Sequence, residues 1–236
     1  MDPTGLLEAV LAVAVYPGAA FLTLAALVHG RMAGRASGLR SPRAVPATRL
    51  LPGLAATVAT AMLPLVGSPA LRLPTATGVA GNVVAVAVLL AVAVDLGVGS
   101  RRVSSLAAAA AVPVLALAAA GSTVSVLAIS TAGGTTGLVA RSLAAAVLVM
   151  AASATVGGGT ASVVAAALAL AAAALVIPAA LHDAAPVAGA LASIGVVALS
   201  GLLSRLFRRA PATGLGAAAG VAAAAGTALA LLSSRV

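Results

Sequence analysis

Two acidic side chains stand within or beside long apolar stretches of this sequence. An acid in hydrocarbon implies a proton or a cation to handle unless a nearby charge accounts for it. Asp95, in Ala91-Val-Ala-Val-Asp-Leu-Gly97, lies about one helical turn from the inner end of its apolar stretch, shortly before Arg101 and Arg102. As a partner of either arginine it suits a proton relay or a cation site. The plainer alternative is an interfacial carboxylate reaching toward those guanidinium groups. Glu8 opens the first apolar stretch, where a carboxylate complements the positive end of a helix dipole, and it is a second candidate relay.

Arg31, Arg35, Arg40, Arg43 and Arg49 offer chemistry of another kind, because no acid interrupts them. Such a run makes a cationic surface suited to an acidic partner subunit or to anionic headgroups, and in its simplest role it orients the first helix. These five are the candidate partner-docking residues. Metal chemistry is not indicated: His29 and the His182-Asp183 pair are far apart, and the chain has no cysteine. Gly157-Gly158-Gly159-Thr160 lacks the lysine of a phosphate-binding loop and reads as a turn. No serine–histidine–acid set emerges, so no catalytic residue and no cofactor is assigned.

The elements that must carry these residues follow from composition. Of 236 residues, 62% are hydrophobic and 7% charged, far from the roughly one-quarter charged content of a soluble domain. The solvent for most of these side chains is therefore lipid. A net charge of +9, all from arginine, would suggest nucleic acid in a soluble protein, but with no Trp, one Tyr and two Phe there is little to stack on bases. The heavy use of Ala, Val and Arg without lysine points to GC-rich coding and to a bacterial plasma membrane. The N-terminus carries Asp2 and Glu8 and no basic region, unlike a cleaved signal peptide.

Apolar runs of spanning length, bounded by Arg, Pro or Gly, predict an all-α, polytopic bundle of about eight transmembrane helices in a single integral membrane domain, 1–236. The expected spans are Leu6–Gly30, Leu50–Val66, Val79–Val98, Val103–Ile129, Leu138–Val156, Ala161–Leu181, Val187–Phe207 and Leu215–Leu232. Pro113 should kink the fourth. Ser122-Thr123-Val124-Ser125 should lie within that span, bonding to their own helix backbone or across to a neighbour. Gly216-Ala-Ala-Ala-Gly220 has the close-packing GxxxG spacing. With the N-terminus outside, ten arginines (31, 35, 40, 43, 49, 101, 102, 205, 208 and 209) face inward and three (72, 141 and 235) outward. That bias meets the positive-inside rule and puts both termini outside.

Tyr16-Pro17-Gly18 through Phe21, then Arg31, Arg35 and Arg40-Ser41-Pro42, resemble in order and spacing the membrane subunit of respiratory complex I that frames the quinone chamber, and its counterparts in membrane-bound hydrogenases and formate hydrogenlyase. In that family a first span with Pro-Gly near its middle leads into an arginine-rich cytoplasmic loop ending in an Arg-x-Gly-Pro-like turn. Gly81-Asn82 and Arg205-Leu-Phe-Arg-Arg209 are similar more loosely. The resemblance implies about eight spans, an outward N-terminus, membrane and peripheral partner subunits, a quinone as redox partner, and a place in proton-translocating respiratory machinery. The chain has no Gln to match the family's loop glutamine and few of its acids, so quinone chemistry is not carried over. The expectation is a non-catalytic subunit that anchors or couples a redox complex. The alternative is a small secondary transporter or channel with Asp95 as coupling acid.

Overall fold

The computed structural model describes residues 3–34, 47–65, 83–96, 101–131, 134–155, 159–181, 186–208 and 212–233. Among them ten helices follow one another: α1 (Pro3–Ala14), α2 (Ala19–Met32), α3 (Ala47–Ala61), α4 (Val83–Leu96), α5 (Arg101–Ala120), α6 (Val126–Thr131), α7 (Gly134–Ala154), α8 (Thr160–Ala180), α9 (Pro186–Phe207) and α10 (Ala212–Ser233). Six segments are long and apolar enough to cross a membrane: Val10–Met32, Arg102–Ala120, Gly134–Ala154, Thr160–Pro178, Val187–Phe207 and Gly214–Ser233. This is the architecture of a multi-pass membrane protein. Two further apolar helices, Leu51–Ala61 and Val83–Leu96, are shorter.

Helix α8 is the pillar of the bundle. Its sequence is almost wholly Ala, Leu and Val, apolar on every side, so no face is reserved for water. Val164 through Leu175 is buried throughout, and α2, α3, α4, α6, α7 and α9 all pack against it. Alanine on so many faces lets that many neighbours approach one axis closely. A second group forms where α10 packs on α5 and α7. A Cβ placed on Gly226 would lie 3.3 Å from Leu143 Cβ and 3.5 Å from Pro113 Cβ, so the bare backbone of α10 seats between those two helices. Gly216 and Gly220, the GxxxG pair, have nothing within 4 Å of such an atom and make no close helix contact here.

Two boundaries differ from the sequence expectation. The first apolar segment is broken: α1 stops at Ala14, the Tyr16–Pro17 bond is cis, and Gly18 N donates to Ala12 O at 2.9 Å. A Cβ on Gly18 would fall 2.0 Å from Val13 O, so only glycine fits this fold-back. The expected span Val103–Ile129 ends at Ala120 instead. There Ser122 takes φ 46°, Ser122 N donates to Ala119 O and Thr123 N to Ala118 O, closing the helix in a Schellman turn. Ser125 Oγ then accepts from Ala128 N at 3.3 Å and begins α6. The Ser/Thr cluster is therefore an end-and-restart signal, not span interior. Pro113 lies inside α5, which runs from Arg101 to Ala120.

Buried hydroxyls mostly turn back on their own helix: Thr60 Oγ1 donates to Ala56 O at 2.7 Å and Ser193 Oγ to Gly189 O at 2.8 Å. Ser153 Oγ lies 2.7 Å from Val149 O of its own helix and 3.0 Å from Ser200 O of α9, which ties α7 to α9.

Candidate functional site

One end of the bundle is built from arginines resting on helix C-termini. The last carbonyls of a helix have no partner inside it and carry the negative end of its dipole, so guanidinium groups are attracted there. Arg102, in the first turn of α5, donates through Nη2 to Phe207 O at the end of α9, at 3.1 Å. Arg208 Nη2 donates to Ala33 O at the end of α2. Gly34 closes α2 at φ +66°, and a Cβ there would sit 3.2 Å from Arg205 Nε, so the glycine both makes the turn and leaves room for that arginine. Below them Gly201 lets α9 lie directly on α2: an added Cβ would meet His29 O at 2.7 Å and Met32 Cβ at 2.8 Å. Arg31, Arg205 and Arg208 are exposed at this end.

Of the five candidate docking residues, Arg31 belongs to this cationic end, while Arg35, Arg40 and Arg43 lie outside the described residues. Arg49 falls in α3 and Glu8 in α1, but their side chains are outside the described set. Asp95 is exposed near the end of α4, so it shares the α4–α5 end of the molecule with Arg102. The expected pairing with Arg102 does not form, since that guanidinium is turned toward Phe207 O. The side chain of Arg101 is outside the described set. Asp95 instead lines a groove of about 490 Å³ between α3 and α4, with Leu51, Pro52, Ala55, Ala91 and Val92.

At the opposite end is a residue whose place the sequence pattern does not reveal. Charge bias alone makes Arg141 one of three outward-facing arginines, yet it is 4% exposed, two turns inside α7. Its Nη1 donates to Ile129 O, in the last turn of α6, at 2.9 Å. The available signal is Leu138-Val-Ala-Arg-Ser-Leu143, an ionisable residue inside an apolar helix, which is as much a functional flag for a base as for an acid. Arg141 also lines a cavity of about 170 Å³ between α5, α6, α7 and α10.

His29 is fully buried on the same face of α2 as Leu22 and Ala25. Among the described residues no three His, Cys, Asp or Glu side chains come together as a metal site would require. Compared with known proteins, the chain matches no family model, no curated protein and no solved structure, so a functional reading rests on its own residues.

Proposed function

We propose that this chain is a non-catalytic membrane subunit of a bacterial plasma membrane, anchoring or coupling a multisubunit respiratory or hydrogenase-like redox complex through its arginine end. In this layout it crosses the membrane eight times. The broken α1–α2 unit counts as one crossing, α3 and α4 complete the set begun by the six long helices, and both termini lie outside. The observation that carries the proposal is the gathering of Arg31, Arg102, Arg205 and Arg208 at one end, where Arg102 and Arg208 rest on helix carbonyls, Arg31 and Arg205 are exposed beside them, and the surface is net positive. Arg35, Arg40, Arg43 and Arg49 extend that charge in sequence. The order of Pro17-Gly18 and the arginine loop, similar to the quinone-chamber membrane subunit of complex I, names the kind of partner: a peripheral subunit with an acidic face.

A mild-detergent pull-down of the tagged chain from its native host tests this. Co-purifying soluble subunits, lost when Arg31, Arg35, Arg40, Arg43 and Arg49 become Gln, would support it. Recovery of the wild-type chain solely as a lone monomer or homodimer would remove it.

A second reading keeps some support from Asp95, exposed in the groove between α3 and α4. A carboxylate in an apolar groove suits the coupling acid of a small transporter. Asp95→Asn in a reconstituted flux assay would abolish coupled uptake on that reading, and unchanged flux would dismiss it.

A further inference from the structure

Helices α2 and α9 run side by side in the same direction and end at one level. Arg208 Nη2 reaches Ala33 O, Gly34 leaves room for Arg205, and Gly201 seats α9 on His29 and Met32. Each helix turns leucines outward: Leu24 and Leu27 on α2, and Leu199, Leu202 and Leu206 on α9, are exposed at the three- and four-residue spacing of one helical face. Both helices belong to segments long and apolar enough to cross a membrane, so these leucines face acyl chains. The α2 stripe continues four residues past Leu27 into exposed Arg31, and the α9 stripe ends between exposed Arg205 and exposed Arg208.

Arg205 and Arg208 stand three residues apart and both reach the Ala33–Gly34 turn, which brings two like charges together. No acid on these helices offsets them, since neither α2 nor α9 contains Asp or Glu. Asp95, the one carboxylate among the described side chains, belongs to α4, which packs on α3, α5 and α8. Helix C-termini ordinarily repel an anion. Here the carbonyls at this end already have donors: His29 O accepts from Ala33 N, Arg31 O from Gly34 N, Ala33 O from Arg208, and Phe207 O from Arg102. What an approaching anion meets is guanidinium.

We infer that the α2–α9 seam holds an anionic phospholipid, its phosphate bridging Arg205 and Arg208 and its acyl chains lying along the leucine stripes of the two helices. Guanidinium N–H groups match phosphate oxygens in pairs, and basic sites between spanning helices at the membrane surface suit anionic headgroups. An acidic soluble partner meets the arginines alone. The leucines descend from those arginines into hydrocarbon, and a lipid is the occupant that meets both. The inference does not rest on the peripheral-subunit reading, which uses the loop from Arg31 to Arg49, and it stands whether or not a subunit docks.

Thermal unfolding of the delipidated, detergent-purified full chain tests this with no partner subunit present. The probes are phosphatidylglycerol, phosphatidylcholine with the same acyl chains, and inorganic phosphate at matched ionic strength. Ligand that binds the folded state alone raises the midpoint saturably. The expected result is a saturable rise with phosphatidylglycerol and none with the other two. Arg205→Gln, which keeps the Arg208 bond to Ala33 O, should weaken apparent affinity about tenfold or more, with helix content unchanged by circular dichroism. Leu206→Gln, which leaves every arginine in place on an exposed face, should weaken it as well. Arg72→Gln removes the same single charge from the side expected to face outward and should respond like wild type. An equal rise with phosphatidylcholine, or with inorganic phosphate, would overturn the inference, as would no rise with phosphatidylglycerol. So would matching responses from Arg205→Gln and Arg72→Gln, which would mean attraction to the net charge of the chain and no site at the seam.

Discussion

Both ends of this bundle use arginine to hold a helix carbonyl, yet they do so in opposite surroundings. At one end half-buried Arg102 and exposed Arg208 reach Phe207 O and Ala33 O, with Arg31 and Arg205 exposed beside them. At the other, Arg141 reaches Ile129 O while 4% exposed. A chain with thirteen arginines and four carboxylates cannot neutralise its charges in ion pairs, and it turns to the partial charges that helices carry for nothing more than being helices. The difference between the ends is then one of dielectric. Where water screens, arginines can be numerous and each bond is worth little. Where it does not, a single bond closes the end of a helix and its loss is felt.

That contrast can be broken most sharply at Arg141. Replacing it with Leu leaves Ile129 O buried without its donor, and the expected loss is about 2–3 kcal/mol, measured by thermal or denaturant unfolding in detergent. Next in size is Gly201→Val, which drives a side chain into His29 O and Met32 at the α2–α9 seam; overpacking there should lower stability by about 1–2 kcal/mol. Arg102→Ala should remove only about 0.5–1 kcal/mol, because its bond to Phe207 O is only partly buried. Smallest of all, Gly216→Val on the outward face of α10 meets nothing within 4 Å and should shift stability by less than about 0.5 kcal/mol. If Arg102→Ala proved as damaging as Arg141→Leu, the two ends would not differ in dielectric.

Much of the fold is legible in the sequence because lipid imposes a simple rule, long apolar runs between charges or Gly and Pro breaks: α8 and α9 fall within one residue of the expected bounds, and α7 and α10 within four. Legibility fails where a helix ends with neither a charge nor a Gly or Pro run to mark it. The stop at Ala120 is written in Ser122 and Thr123, whose backbone N–H groups cap α5, and hydroxyls in an apolar run look like span interior until the chain is seen to turn. The Gly216–Gly220 spacing matches a packing motif, but the close approach is made by Gly226, because which face of an all-apolar helix turns inward is decided by its neighbours. For the candidate site, the arginine end is visible as a bias in loop charge. Arg141 stays hidden because one guanidinium in a span looks like any outward-facing charge until its burial is known.

In the layout proposed here the arginine end and the Arg141 end lie on opposite sides of a bilayer. Since the chain has no native cysteine, single substitutions at exposed Arg31 and exposed Thr135 give one label each. With a membrane-impermeant maleimide, Thr135→Cys should react in intact cells, and Arg31→Cys only after the membrane is opened. Equal labelling of both positions in intact cells would contradict the account.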